Sequence, residues 1–296
     1  MYDRFVDDVS RESGLAVEYR RCGTLEVAAD RSAADRLRAN AAAHREDVVM
    51  TWLDASAAHL EEPALARSIE GALLVSTHGY VSVPTLIDAL AWAALRHGAQ
   101  VESADPVSGV RVDGSALVVV TADGTEWPAN YVVVCAGSWS SQIGSPGLTA
   151  GAVRPVRGQL LRLRWQGSPL SHVVWGPDCY VVPWQDGTVL VGATVEDVGF
   201  DERATAAGVR DLLDAVCELL PEAWQATFVE ARVGLRPATA DGLPFIGRST
   251  AHPRLVYATG HFRNGILLAP LTAQLVSEVI VDGTEDPILA SVRPGR

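Results

Sequence analysis

The sequence predicts an α/β fold of the α+β kind, with a parallel sheet in one part and an antiparallel sheet in another. Three observations carry this expectation. Tyr131-Val132-Val133-Val134-Cys135 is a continuous apolar run, the pattern of a strand buried on both faces of a parallel sheet. Asp113-Gly114, Asp123-Gly124 and Asp186-Gly187 each sit beside or between β-rich runs, as hairpin turns do. Between these lie stretches of helical periodicity, of which residues 82–98 are the cleanest.

In chain order, Phe5, Val6 and Val9, with Asp7, Asp8 and Arg11 among them, predict a short amphipathic helix ending at Gly14. Val17-Glu18-Tyr19 and Thr24-Leu25-Glu26-Val27 predict strands parted by a turn at Cys22-Gly23. From Asp30 to about Met50, Ala and Arg recur at helical spacing. Ser82 is placed to cap a helix with Pro84 in its first turn; Leu86, Ile87, Leu90, Ala94 and Leu95 form its apolar stripe, and His97-Gly98 closes it. Gln100-Val101-Glu102 predicts a short strand, and Gly109–Val120 with Asp123–Trp127 an antiparallel ribbon. The apolar run 131–135 then ends in Ala136-Gly137-Ser138-Trp139, where a sheet strand delivers its backbone to a ligand.

Strands are expected next at Gln159–Leu163, Tyr180–Pro183 and Thr188–Gly192, and a helix from about Gly208 to Leu220, stopped by Pro221. Leu255–Ala258 predicts a strand ending at Gly260. The last helix opens near Asn264-Gly265 and runs through Leu268, Leu271, Leu275, Val276 and Val279 to Asp282-Gly283, with Pro270 expected in its first turn.

Composition narrows the function. The formal charge of −12 argues against nucleic acid and anionic membrane surfaces as partners. All 24 Lys-plus-Arg positions are Arg, which removes Schiff-base lysine chemistry and a Walker A loop. Cys22, Cys135, Cys179 and Cys217 form no CxxC pair, and the seven His form no HxH or HExxH; a reducing compartment with free thiols is expected, and no metal. No apolar run approaches bilayer length and the start does not look like a signal peptide, so a cytoplasmic protein is expected.

The chemistry concentrates near the C-terminus. Gly234-Leu235-Arg236-Pro237, Gly242-Leu243-Pro244-Phe245-Ile246-Gly247 and Gly260-His261-Phe262-Arg263-Asn264-Gly265 follow one another closely. With Gly79-Tyr80-Val81-Ser82-Val83-Pro84 and Val134–Ser140, this set resembles the D-amino-acid-oxidase-like FAD enzymes, most of all their glycine-oxidase branch. The resemblance covers nearly the whole chain. It implies a Rossmann-like FAD-binding domain, incomplete here, over 71–152 and 236–296, and an antiparallel-sheet substrate domain over 1–70 and 153–235.

The resemblance also implies roles. Cys135, Ala136 and Gly137 pass the FAD phosphates and ribose, and Val107 lies near the adenine. Gly260, His261, Arg263, Asn264, Gly265 and Ile266 frame the flavin, with the helix N-terminus aimed at the ring's pyrimidine edge. Arg236 holds the substrate carboxylate, Tyr180 shares it, and Arg263 is a second active-site arginine. Asp178 stands where relatives carry His. Apart from the resemblance, an isolated Arg is most often a surface ion-pair partner and an isolated Tyr a core-edge residue; Tyr19, Tyr80, Trp52 and Trp175 are read as core or cleft wall. His261 is read as a packed residue behind the site, because the cofactor performs the difficult step. No cysteine follows Cys217, so FAD is expected to be non-covalent. The implied reaction is oxidation of glycine or a related small amine with O₂, giving an imino acid and H₂O₂ for the thiazole of thiamine. Homo-oligomerisation is left open.

One family feature is absent. No two of the 26 glycines are separated by a single residue, so the G-x-G-x-x-G that holds the FAD pyrophosphate occurs nowhere in the chain. Two expectations follow: a start that truncates an amine oxidase, or a catalytically silent fragment or subunit completed by a separate Rossmann polypeptide. A third reading keeps the family and changes the reaction, to sarcosine or D-amino-acid oxidation or to dehydrogenation.

Overall fold

The computed structural model describes residues 1–42, 49–103, 105–114, 116–148 and 151–296. Helix α1 (Tyr2–Ser13) ends in Gly14, whose φ of 73° is left-handed, as the sequence predicts. Two strands follow, β1 (Tyr19–Arg20) and β2 (Thr24–Ala28), then α2 (Arg31–Ala42). The stretch expected to stay helical towards Met50 instead enters strand β3 (Met50–Asp54); residues 43–48 lie outside the described residues. Next come α3 (Ala55–Glu61), capped by the Asp54 carboxylate accepting from Ala57 N–H, and strands β4 (Gly71–Val75) and β5 (Tyr80–Val81).

Helix α4 (Val83–Arg96) has Pro near its start, as expected, but the Ser82 hydroxyl makes no cap bond. Its predicted apolar stripe is only partly buried. Leu86 and Ala89 pack on Val9 of α1, whereas Ile87, Leu90 and Leu95 are exposed. Helix α1 offers one narrow apolar edge, which covers one side of α4 and no more. Gln100-Val101-Glu102, expected as a strand, has no ladder partner among the described residues, and Val101 is exposed.

The antiparallel ribbon forms a three-stranded sheet of β6 (Val107–Asp113), β7 (Ala116–Thr121) and β8 (Glu126–Ala129). Strand β9 (Val132–Val134) then pairs in parallel with a strand far along the chain. It is not buried on both faces: Val133, between buried Val132 and Val134, is exposed. The sheet that β9 joins has three strands and β9 is at its edge, so packing covers only one of its faces among the described residues.

The large sheet dominates the rest of the molecule. Strands β10 (Arg154–Arg164), β11 (Val173–Trp175), β12 (Tyr180–Pro183) and β13 (Thr188–Gly192) precede helix α5 (Ala206–Leu219); β14 (Thr227–Ala238) follows it. The eight strands run in the order β14-β10-β13-β12-β11-β2-β4-β3, with only β11 and β2 parallel. Strand β4 belongs here and β14 reaches Ala238, so this sheet extends past the expected boundaries at 70 and 235. The hairpin between β12 and β13 turns at Asp186-Gly187, where Gly187 has φ 78° and the Asp186 carboxylate accepts from Thr188 N–H at 2.9 Å.

Along β10, side chains alternate between two environments. Leu161 and Leu163 join Val181, Val189, Val191 and, from α5, Leu212, Val216 and Leu219 in the main core. The opposite face carries Val156, Gly158 and Leu160, and is the one from which the candidate site rises.

The chain closes with β15 (Phe245–Arg248), β16 (Leu255–Thr259), α6 (Gly265–Ser277) and α7 (Leu289–Val292). Pro270 lies beyond the first turn of α6, where sequence reading had placed it. It removes the N–H that would bond the Ile266 carbonyl; the Tyr2 hydroxyl of α1 donates to that carbonyl instead, at 2.9 Å. A π-helical turn continues α6 to Asp282, where Gly283 closes it with φ 69°. The resulting helical stretch Gly265–Asp282 is 18 residues long and apolar enough, by length and composition, to cross a membrane, contrary to the expectation that no run approaches that length. Its Leu275 and Val279 pack on Ile246 and Val256.

Candidate active site

Hydrogen bonds tie together the ends of β9, β14 and β16, which are far apart in sequence. After β9, the segment Ala136-Gly137-Ser138 turns sharply, with Gly137 at φ 53°. The Ser138 hydroxyl donates to the Leu235 carbonyl of β14 at 2.9 Å, and the Thr259 hydroxyl of β16 donates to the Gly137 carbonyl at 3.1 Å. Phe262 N–H donates to the Pro237 carbonyl at 2.8 Å. Three of the sequence motifs are thereby brought into one cluster.

The turn from Gly260 to Asn264 is sterically demanding. A Cβ on Gly260, whose φ is 77°, would fall 2.6 Å from Thr239 Cγ2. Phe262 holds φ 50°, left-handed for a residue with a large side chain, a conformation that costs about 1–3 kcal/mol and persists where the surroundings impose it. This turn carries Arg263 to the start of α6. There the helix begins at Asn264 without a side-chain cap, and its first backbone bond is Leu268 N–H to the Asn264 carbonyl. The N–H groups of Gly265, Ile266 and Leu267 precede that bond and have no intrahelical acceptor. With Ile266 and Leu267 exposed beside them, they form an apolar edge that also carries a partial positive charge of about 0.5 e.

Such an edge fits the electron-rich pyrimidine end of a flavin. Gly137 fits the same requirement, since a Cβ there would meet nothing within 4 Å and its backbone stands beside open space. His261 lies behind the turn, Nε2 3.0 Å from the Thr272 hydroxyl, and burial pushes its pKa down, which keeps it neutral. Cys135, at the end of β9, is an exposed free thiol. Val107 lies in the separate three-stranded sheet, at its first strand's start.

Arg236 and Tyr180 rise from the same face of the large sheet. Arg236 pairs with Val156, and Tyr180 with Gly192, across β14-β10 and β12-β13. Arg236 is half-buried. Its Nη1 donates to two backbone carbonyls, Thr194 at 2.9 Å and Arg157 at 3.3 Å. Burial lowers its pKa, with Tyr180 opposing that shift and Arg263 adding to it. Burial raises the Tyr180 phenol, while Arg236 and Arg263 pull it down. Both arginines thus lie within electrostatic reach of one phenol, and no carboxylate forms an ion pair with either among the described residues. Trp175 stacks on Tyr180 with ring centroids 5.0 Å apart, as a cleft wall. Tyr80 is buried against Trp184 and donates to Glu18 at 2.9 Å, away from this cluster. Asp178 is exposed on the loop before Tyr180.

Sequence reasoning missed the support beneath Arg236. Buried Gln159 donates its backbone N–H to the Thr194 hydroxyl at 2.8 Å; Glu196 accepts from Thr194, from Gln159 at 2.7 Å and from Arg157 at 2.6 Å. Burial would raise the Glu196 pKa, but the hydrogen bonds from Arg157, Thr194 and Gln159 outweigh it and hold the carboxyl at about 2. This network fixes the segment whose carbonyls receive Arg236.

Comparisons with known proteins place the chain in a family. The family described as FAD dependent oxidoreductase matches residues 2–279. The chain belongs to that family. It is 38% identical over 231 residues to a glycine oxidase of Geobacillus kaustophilus, covering 77% of this chain and 61% of that protein. It is 32% identical to the bifunctional protein ThiO/ThiG of a Nostoc species, covering 98% of this chain and 44% of that protein. The chain therefore spans about half to three-fifths of these relatives. Among solved structures, glycine oxidase from Geobacillus kaustophilus superposes with a TM-score of 0.90 at 31% identity, over 100% of this chain and 80% of that one. Iminodiacetate oxidase from Chelativorans superposes with a TM-score of 0.90 at 29% identity, over 99% of this chain and 81% of that one.

Proposed function

We propose that the protein oxidises the amine of glycine or a related small amino acid with FAD, and that this chain supplies the substrate-orienting half of the site. One observation carries the reading: Arg236 and Tyr180 rise from one face of the sheet with Arg263 in electrostatic reach of both, and no carboxylate among the described residues forms an ion pair with either arginine. A half-buried arginine such as Arg236 loses part of its hydration without gaining a charge partner, so the arrangement suits an external carboxylate. Arg236 presents a planar fork that matches a carboxylate through two parallel N–H donors. The Tyr180 hydroxyl, kept protonated by its raised pKa, donates to the same group. Held there, the substrate presents its neutral amine and Cα–H towards the first turn of α6.

When bound, FAD supplies a two-electron acceptor that O₂ reoxidises, giving H₂O₂. The free N–H groups of Gly265–Leu267 stabilise negative charge developing beside them. Neutral His261 braces the turn from behind through Thr272. The substrate's Cα–H hydrogen would leave with its electron pair to the two-electron acceptor, the amine lone pair would form C=N, the nitrogen would lose a proton to solvent, and the imino acid would be released or hydrolysed. We infer non-covalent FAD, since no cysteine follows Cys217, and a cytoplasmic protein, in keeping with its four free thiols. The names of the relatives favour imino-acid supply to the thiamine thiazole as the role.

The test is H₂O₂ release from glycine, sarcosine and D-alanine by the FAD-loaded full-length protein, with Arg236→Ala alongside. Glycine is expected to be turned over best. Turnover by Arg236→Ala with an unchanged KM would sink the carboxylate role. A second reading, that these 296 residues alone are silent or require a Rossmann partner, is favoured by the absence of G-x-G-x-x-G. It expects the purified chain to lack flavin absorbance; a yellow chain holding one FAD would refute it.

A further inference from the structure

Interior strand glycines usually mark a bulge, a bend or a close approach, because glycine weakens a strand. Gly158 in β10 and Gly192 in β13 are both buried and sit diagonally, since Leu160 pairs with Gly192. Neither has positive φ, so left-handed backbone does not explain glycine at either position. Neither lies at the one register shift of β10, between Arg162 and Leu163. What fills the space above each is a side chain of the candidate site. A Cβ on Gly158 would overlap Nη1, Nη2 and Cζ of Arg236, far inside the roughly 3.5–4.0 Å of normal contact. A Cβ on Gly192 would overlap Cζ and the hydroxyl of Tyr180, and fall 2.6 Å from Leu160 Cδ2. Gly234, which pairs with Gly158 on the same face, would meet nothing within 4 Å. Of the three glycines on β10, β13 and β14 (Gly158, Gly192 and Gly234), the two beneath Arg236 and Tyr180 are crowded and the third is not.

We propose that Gly158 and Gly192 are positioning residues: their missing side chains let Arg236 and Tyr180 lie flat across the sheet and converge on one carboxylate. The proposal rests on the carboxylate role given to Arg236 and Tyr180 above. At Gly158 the atoms in conflict are the far end of a flexible side chain, not backbone. An alanine there is accommodated by swinging the guanidinium away, off the carbonyls of Arg157 and Thr194 that aim it. At Gly192 the phenol swings instead. Each variant is therefore expected to fold and to lose the geometry of one anchor.

The test uses acetate as a carboxylate probe on the FAD-loaded full-length protein, with binding read from tryptophan fluorescence, since Trp175 stacks on Tyr180. Gly158→Ala and Gly192→Ala are each expected to weaken acetate binding about tenfold or more, while unfolding on heating remains cooperative. The loss should act through the anchors. Gly158→Ala added to Arg236→Ala, and Gly192→Ala added to Tyr180→Ala, are expected to cost nothing further. If the glycine variants bind acetate as the parent does while Arg236→Ala has lost it, positioning is wrong and the carboxylate role stands. Equal cost with and without the anchors, or loss of cooperative unfolding in both single variants, also overturns positioning. If Arg236→Ala itself binds acetate normally, the carboxylate role fails and positioning with it.

Discussion

Arg157 and Arg236 stand almost back to back on neighbouring strands, on opposite faces of one sheet, and their surroundings differ. Arg157 faces α5. It is 4% exposed, and its guanidinium meets Glu196 at 2.6 Å and Asp201 at 3.0 Å. Arg236 faces the open side and, among the described residues, finds only two carbonyl oxygens. A charge satisfied by the chain's own carboxylates serves the fold. A charge desolvated but unpaired costs stability, and is retained where a ligand completes it. The closed face of the sheet therefore serves as scaffold, and the open face carries the proposed site.

Substitutions on the two faces test this division. The largest effect is expected from Leu161→Ala on the closed face, where a side chain with no exposed surface is lost. Urea denaturation should show about 3 kcal/mol less stability, with acetate affinity unchanged. Reduced affinity would mean that the two faces are mechanically coupled. Arg236→Ala should do the reverse. It is expected to weaken carboxylate binding by about 2 kcal/mol, roughly 30-fold, with a melting temperature equal to or above the parent's because a desolvated charge is gone. Arg157→Ala should lower the melting temperature, by leaving Glu196 without its partner; a rise would erase the contrast between the two arginines.

A smaller effect is expected at the carbonyl freed by Pro270. Tyr2→Phe removes its donor and should cost about 0.5–1 kcal/mol in a denaturant titration. An unchanged midpoint would show that solvent serves that carbonyl equally well. A further test is the acid limb of Glu196. Its folded pKa of about 2 lies below the ordinary 4.5, so its contribution is present above pH 4.5 and is lost as the pH falls towards 2. Glu196→Gln should flatten the stability profile in that window. An unaltered acid limb would detach this carboxylate from the support beneath Arg236.

Elements specified by local rules were legible. Gly14 closing α1, Pro84 opening α4 and Asp186-Gly187 turning the hairpin each act within a few residues. The expected strand at Gln100–Glu102 failed because a strand exists only with a partner, and alternation does not supply one. Strand β11 was unread for the converse reason: three residues, Val173–Trp175, are too few for a pattern, and its parallel partner β2 lies far earlier in the chain. On α4, the stripe was correctly helical, but periodicity does not tell which part of it a neighbour covers.

The site divides in the same way. The sequence by itself determined the family, through the glycine, arginine and proline motifs of 234–265 and the Val134–Ser140 stretch, because backbone conformation and helix termini impose those residues locally. It also placed Arg236, Tyr180 and Arg263 as candidates. Only the tertiary structure decided that Arg236 and Tyr180 rise from one face of the large sheet, that Arg157 meets two carboxylates while Arg236 meets none among the described residues, and that Gly158 and Gly192 lie beneath Arg236 and Tyr180. Those facts depend on which strands lie side by side and on what fills the space above them. Charge pairing and steric room are relations between residues distant in the chain, so they become definite only when the sheet has assembled.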